Sequence, residues 1–359
     1  MRITFVLPVV DLSGGNRVIA VHAQHLFDRG HTVTIVSLPA SPPSLRDRAR
    51  ALIRQRRILR HRHHPASHLD GLSVPHRVIE RWRPISDADL PDADVVIATW
   101  WLTAEWVARL SPSKGRKAYF VQGHERYDYL PRDRAEATYR LPMRKIAVSQ
   151  WLVDLMRERY GDATSILVPN AVDHGVFNAA PRDKQAAPTV GMMYSEPRWK
   201  GCDISLHAVS VARQDILDLQ LLAFGHGLSA ALPLPAGAVF SAQPTAGQIR
   251  ATYSQCDVWL FGAREEGFGL PILEAMACRT PVIGTPVGAA PELLADGAGI
   301  LVSREDPHAM ARAIVEVCRM ENAAWRRLSD AAYARASQYS WDKASAKFEG
   351  ALMEIAAGG

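Results

Sequence analysis

The feature that most constrains this chain is an alternation of short apolar strands with amphipathic helices, punctuated by glycine-bearing turns. Residues 2–10 (RITFVLPVV) are an almost unbroken apolar run, the pattern of a parallel strand covered on both faces. A turn containing Ser13, Gly14, Gly15 and Asn16 follows. Ile19, Ala23, Leu26 and Phe27 then recur at helical spacing, and Gly30 stands where a left-handed C-terminal residue belongs. Residues 32–37 (TVTIVS) read as the next strand, completing a right-handed βαβ unit.

Further strands are expected at 94–98, 117–121, 145–148 and 165–168. A second series opens at 189–193 and runs through helix 204–213, strand 219–224, helix 245–255 and strand 257–261. Helix 270–278, strands 281–283 and 299–302, and helix 307–320 complete it. Two such series imply an α/β chain of two doubly wound domains, and 359 residues suit about two domains at roughly 150 each. The junction is expected near 170–188, where 178–188 (NAAPRDKQAAP) is polar and proline-bearing.

Composition narrows the function classes. None of the four cysteines, Cys202, Cys256, Cys278 and Cys318, lies in a CxxC pair, which argues against a zinc ribbon or disulfide scaffold. A reducing, cytoplasmic setting is the expectation. No apolar run approaches the roughly 18 residues of a membrane span, and the first run reads as a strand, not a signal peptide. The net charge of +5 is concentrated: residues 46–62 carry eight arginines against the single acid Asp47. Leu45, Ala49, Leu52, Ile53 and Leu59 fall on one helical face there, with Arg54, Arg56, Arg57 and Arg60 around them. A basic amphipathic helix of this kind suits an anionic membrane surface, so peripheral attachment at the inner face of the membrane is one expectation; a solvated basic loop is the other. The balance does not suggest nucleic acid binding.

The chemistry concentrates in 264–287 (REEGFGLPILEAMACRTPVIGTPV). Glu266 stands just past the carboxyl end of strand 257–261, the edge at which open α/β sheets bind ligands. Gly267 and Gly269 permit close backbone approach, and Pro271 suits the first turn of a helix. That helix N-terminus would offer free N–H groups to a phosphate. Glu274 follows eight residues after Glu266, placing one carboxylate on the loop and one on the helix, both toward one crevice.

The stretch from Glu266 to Glu274 resembles the E-x7-E signature of retaining glycosyltransferases of family 4, which have the GT-B fold: two Rossmann-like domains facing a central cleft. Residues 275–278 (AMAC), 281–284 (PVIG), 291–293 (PEL) and 168–173 (VPNAVD) are similar to that family too, so the resemblance runs from the Gly14-Gly15 loop to Trp341. It implies an N-terminal acceptor-binding domain over 1–170, a nucleotide-sugar-binding domain over 171–337, and a C-terminal helix over 338–359 packing back on the first domain. It also implies transfer from a nucleotide-diphospho-sugar to a glycan or lipid-linked acceptor, with the acceptor hydroxyl attacking as the diphosphate leaves and takes the proton.

By the same resemblance Glu266 contacts donor-sugar hydroxyls, Glu274 the ribose, and the N–H groups of Phe268, Gly269 and Leu270 the pyrophosphate. Lys200, in the Lys200-Gly201 turn, neutralises the leaving diphosphate. The family's arginine five residues earlier is Ser195 here, which leaves Arg198 as a candidate replacement. Arg279 stands where the family has glycine and reads as a solvated residue. Gly14 and Gly15 would approach the donor phosphate or the acceptor. His124, after strand 117–121, would reach the donor sugar or acceptor, with Asn16, Trp100, Trp101 and Arg126 as weaker sugar or acceptor contacts. Similarity to bacterial rhamnosyltransferases at Gly14–Arg17 and Tyr194–Gly201 makes dTDP-rhamnose a candidate donor.

No cofactor and no metal are expected. Asp87-Ala-Asp89 and Asp92-Ala-Asp94 match the Asp-x-Asp pattern that holds a cation in the other glycosyltransferase fold, but the second pair leads into the amino end of a strand and both read as entry turns. Alternatives are another GT-B enzyme, such as a sugar-nucleotide epimerase or a phosphorylase, and a non-catalytic nucleotide-sugar binder.

Overall fold

The computed structural model describes residues 1–40 and 66–358. The arginine-rich stretch, with Arg54, Arg56, Arg57 and Arg60, lies outside the described residues. The chain divides into two compact units: described residues of Met1–Val148, Val153–Val168 and Ser345–Gly359 form the first, and Ser149–Leu152 with Pro169–Ala344 the second.

The first unit holds a parallel sheet ordered β3-β2-β1-β4-β5-β6-β7. Its strands are β1 (Arg2–Val9), β2 (Thr32–Leu38), β3 (His76–Val78), β4 (Val95–Ala98), β5 (Arg116–Val121), β6 (Arg144–Ala147) and β7 (Ile166–Leu167). Order runs one way from β1 to β3 and the other way from β4, so the switch point falls between β1 and β4, where Ile3 pairs with Val95 and Val6 with Ala98. Phe5, Val6, Ile35, Val36, Ile97 and Phe120 are fully buried, as double-sided cover requires. The helix Trp341–Ala357 contributes to this core: Phe348 stacks on His22 with centroids 4.5 Å apart and lies 6.1 Å from Phe5. Ser345 Oγ lies 3.1 Å from His22 Nδ1, and Glu349 pairs with Arg29 at 2.6 Å and His31 at 2.7 Å. Burial holds the His22 imidazole far down, at about 3, so it packs as a neutral ring.

The second unit repeats the plan with the order β10-β9-β8-β11-β12-β13. Its strands are β8 (Thr189–Tyr194), β9 (Gln220–Gly225), β10 (Val239–Ala242), β11 (Val258–Phe261), β12 (Val282–Gly284) and β13 (Ile300–Leu301). Here the switch point lies between β8 and β11, with Val190 opposite Val258. Helices Cys202–Ala212 and Pro307–Arg319 cover one face through Leu206, Val209, Met310, Ile314 and Val317.

Two strands that the sequence pattern does not announce, β3 and β10, are sheet edges. Their residues are half-buried or exposed, so neither carries an apolar run.

Candidate functional site

In the second unit, the loops leaving the neighbouring strands β8 and β11 converge. The first carries the tight turn Arg198–Lys200, the second carries Glu266. Lys200 Nζ lies 2.7 Å from Glu266 Oε2, and both are partly buried. Gly201 makes this approach possible. It sits at φ +61°, and a Cβ there would stand 1.7 Å from the Gly262 carbonyl oxygen, so the two loops meet backbone to backbone.

Arg264, outside the set chosen from sequence, rivets the same loops. Its guanidinium donates to Asp203 Oδ1 and Oδ2 at 2.6 and 2.8 Å, to the Arg198 carbonyl at 2.7 Å, and pairs with Glu305. Its backbone N–H donates to the Trp199 carbonyl at 2.8 Å. Hydrogen bonds to Asp203 and Glu305 raise its pKa further above its already high value. Nothing in the sequence marks it, because its partners lie about 40 and 60 residues away.

Gly269 caps the helix Leu270–Ala277 from the left-handed region, at φ +99°, and Pro271 occupies its first turn. The backbone N–H groups of Phe268, Gly269 and Leu270 find no acceptor among the described residues. The Gly267 carbonyl, in contrast, is doubly held, by Ser149 Oγ and Trp151 Nε1, each at 2.8 Å. The loop is therefore pinned by its carbonyl while three amides stay open. Lys200, Glu266 and Pro271 share the wall of a cavity of about 20 Å³ with Met193, Ser205 and Phe261, space for a single water.

Other residues singled out from sequence sit elsewhere. Glu274 is buried on the helix and accepts from the Tyr253 hydroxyl at 3.0 Å. The Arg198 side chain is exposed, and only its carbonyl joins the site. The Ser195 N–H donates to Cys202 Sγ. Arg279 is not the solvated residue the sequence suggests. It adopts φ +58°, which accounts for glycine at such a position, and its guanidinium lies 4.1 Å from the Tyr333 ring centre and pairs with Asp330.

In the first unit, a cavity of about 590 Å³ opens at the β1/β4 switch point. Pro8 and Val9, Thr99 and Trp100, and Gln122 and Gly123 line it from three strand ends, with Asp11, Gly15, Asn16 and Glu125. Gly14 and Gly15 belong to the first turn of the helix Gly14–Asp28, not to a free loop: the extended Ser13 precedes it, and the Ser13 carbonyl accepts from the Arg17 N–H at 3.1 Å. Asp11 Oδ1 accepts from Ser13 N–H at 2.9 Å and from Asn16 Nδ2 at 2.7 Å.

Trp100 lines this cavity, while Trp101 is buried with the Arg134 guanidinium 5.2 Å from its ring centre. His124 turns away from it: Nε2 lies 2.6 Å from the Tyr160 hydroxyl, and burial together with Arg126 holds the imidazole at about 4, hence neutral. Arg126 itself pairs with Glu136 at 2.7 Å. Glu125, not singled out from sequence, is buried at the cavity wall.

At the amino end of β4, Asp94 pairs with Arg2 at 2.9 Å, Asp92 with Lys114 at 2.9 Å, and Asp89 with Arg83 at 2.6 Å, while Asp87 accepts from Ser111 N–H. Both Asp-x-Asp pairs are thus engaged in structural contacts.

Comparison with known proteins follows this division. Residues 12–176 match the family described as Glycosyltransferase Family 4, and residues 186–320 the one described as Glycosyl transferases group 1. Phosphatidyl-myo-inositol mannosyltransferase of Mycobacterium tuberculosis is 29% identical over 231 residues, 60% of either chain. O-antigen chain mannosyltransferase B of Escherichia coli is 35% identical over 91 residues, 25% of this chain and 23% of its own. The chain therefore spans at most 60% of the length of these two relatives. The crystal structure of Anabaena HepE in complex with UDP and glucose superposes over 99% of this chain and all of that one, with TM-score 0.75 and 18% identity. The fold is GT-B, with two parallel-sheet Rossmann-like domains.

Proposed function

From a chain built of two glycosyltransferase domains in the GT-B fold, we propose a nucleotide-sugar-dependent transferase. The sugar moves from a nucleotide-diphospho-sugar to a hydroxyl of a glycan or lipid-linked acceptor. The observation that carries this reading is the Lys200–Glu266 pair beside three open amides at a helix N-terminus. A diphosphate is the ligand such an arrangement suits: it takes the N–H groups of Phe268, Gly269 and Leu270 and the Lys200 ammonium as counter-charge. Glu266, partnered by Lys200 in the free chain, turns to the donor-sugar hydroxyls, and Glu274 serves the ribose. Keeping carboxylates on hydroxyls and cations on phosphates avoids like-charge contact.

In this reading the anomeric configuration is retained. The acceptor hydroxyl attacks from the face that the diphosphate leaves, and a phosphate oxygen takes the hydroxyl proton. The protein contributes positioning and electrostatic stabilisation of the leaving group. Lys200 and the helix end serve as the electrophilic elements, and no metal ion is assigned a role. Unchanged turnover in EDTA is the expected result; loss restored by Mn²⁺ would contradict that assignment.

The relatives are named as mannosyltransferases and HepE is seen with UDP and glucose, so GDP-mannose and UDP-glucose belong beside dTDP-rhamnose in a donor screen. A thermal-shift screen of these donors and their nucleotides identifies the base, because a ligand of the native state raises its stability. Consumption of one donor only when acceptor is added supports the transferase. Consumption without acceptor would favour an epimerase, and tight binding without turnover a non-catalytic binder.

A further inference from the structure

Each open amide of the Glu266 loop follows a carbonyl that the protein holds. The Gly267 carbonyl accepts from Ser149 Oγ and Trp151 Nε1, each at 2.8 Å. The Phe268 carbonyl accepts from the Ala289 N–H at 2.9 Å, and the Gly269 carbonyl from the Ile272 N–H at 3.0 Å. A trans peptide directs its C=O and the following N–H to opposite sides. Three anchored oxygens therefore turn the N–H groups of Phe268, Gly269 and Leu270 the other way, and the anchor on each peptide sets the direction of its own amide.

The three anchors differ in kind. The Gly269 oxygen is held by the first turn of the helix Leu270–Ala277. The Phe268 oxygen is held by a close backbone approach: Gly288 sits at φ +60°, and a Cβ there would stand 2.8 Å from that oxygen. Both anchors are backbone. The Gly267 peptide is the freest of the three to turn, because glycine on one side places no Cβ in its way. Side chains alone hold it, from positions 118 and 116 residues earlier in the chain. Ser149 is fully buried, and two donors on one oxygen occupy both of its lone pairs. Hydroxyl and indole N–H are uncharged, so they hold the oxygen without adding charge beside Glu266. The segment that carries them, Ser149–Leu152, belongs to the second unit and is itself tied down: the Gln150 N–H donates to Glu292 Oε1 at 3.0 Å, three residues after Ala289.

Given the diphosphate reading of this loop, on which the assignment rests, we propose that Ser149 and Trp151 are positioning residues of the donor site. By holding the Gly267 oxygen they aim the Phe268 N–H at a phosphate, and neither side chain touches the ligand.

The test combines affinity with a signal from the amide itself. UDP, GDP and dTDP are titrated calorimetrically into the purified full chain, and the one that binds is carried forward. Ser149→Ala removes the hydroxyl, and Trp151→Phe removes the indole N–H while keeping an aromatic ring. Each is expected to weaken the diphosphate about threefold, and the two together about tenfold. In chain labelled with [15N]phenylalanine, the Phe268 amide signal, assigned through Phe268→Leu, should shift when the diphosphate is added to wild type. In the double variant that shift should fall to less than about half, an effect that a merely structural role would not produce. If the double variant does not fold, the single variants decide by the same two readouts. Unchanged affinity, or an unchanged Phe268 shift, in the folded variants overturns the proposal and leaves the donor reading standing. Binding of none of the three diphosphates by wild type overturns both. Weakened binding as expected, with no turnover of any donor, would sink the transferase reading and leave the positioning assignment in place.

Discussion

The two units present the same topological place, a switch point at the carboxyl edge of a parallel sheet, built in opposite ways. In the second unit, β8 and β11 deliver a lysine, a carboxylate and three open amides from two short stretches. In the first, β1, β4 and β5 deliver aromatic rings, amide side chains and a buried carboxyl from separate loops. One place is electrostatic and largely backbone; the other, among the described residues, is made of aromatic, amide and carboxyl side chains. A diphosphate needs the first kind of surroundings, because its charge must be met by fixed dipoles and cations.

Removing charge from the second unit should give the largest effect. Lys200→Ala and Glu266→Ala are each expected to lower kcat at least about 100-fold, about 2.7 kcal/mol of transition-state stabilisation. Steady-state kinetics checks this, and near-normal kcat in either variant breaks the comparison.

Next comes the backbone contact beneath Lys200. Gly201→Ala must place a Cβ into the Gly262 carbonyl at positive φ, and strain plus overpacking should cost about 3 kcal/mol by chemical denaturation. A stable Gly201→Ala variant would mean that the two loops do not meet as described.

A smaller loss, about tenfold in kcat, is expected for Arg264→Met. The substitution frees Asp203 and Glu305 and lets the Lys200 turn drift from Glu266 without touching donor. Its readout is kcat falling more than KM rises.

A further effect, read across pH and not at one pH, is a signature of the first unit. Burial raises the Glu125 carboxyl from its ordinary 4.5 to about 8, with the Tyr119 and Tyr139 hydroxyls as its neighbours. The folded chain then holds a proton that the unfolded chain releases. Stability from this group is complete below about 4.5 and drains away as pH rises toward 8. Melting curves of wild type and Glu125→Gln should therefore separate progressively over that window, with the variant gaining at the alkaline end. Parallel curves across pH 4.5 to 8 would mean that Glu125 is ionised and solvated.

Legibility in the sequence followed the same divide. The two β/α series could be read because central strands are buried on both faces and so spell continuous apolar runs. The edge strands β3 and β10 lack such runs and left no trace. Glu266 was visible because it follows an apolar strand and because glycine and proline after it encode a backbone shape locally, at Gly269 and Pro271, whereas Lys200 was marked only by the resemblance of its Lys200-Gly201 turn to the family's. Glu125 and Arg264 were not, since a lone charged residue in a loop has no period and its partners are set by the fold. Adjacent tryptophans show the limit most plainly. Trp100 lines the cavity and Trp101 is core, and only the start of the helix Trp101–Val107 decides which. Arg279 taught a converse lesson, since the glycine it replaces is explained by its positive φ.

The most direct test of the proposed diphosphate site in the second unit is calorimetric titration of nucleoside diphosphates. Wild type, Lys200→Ala and Trp100→Ala are compared with whichever of UDP, GDP and dTDP binds. The account predicts at least tenfold weaker binding to Lys200→Ala and affinity within about twofold of wild type for Trp100→Ala. Equal affinity in wild type and Lys200→Ala, or a tenfold loss in Trp100→Ala, would contradict it.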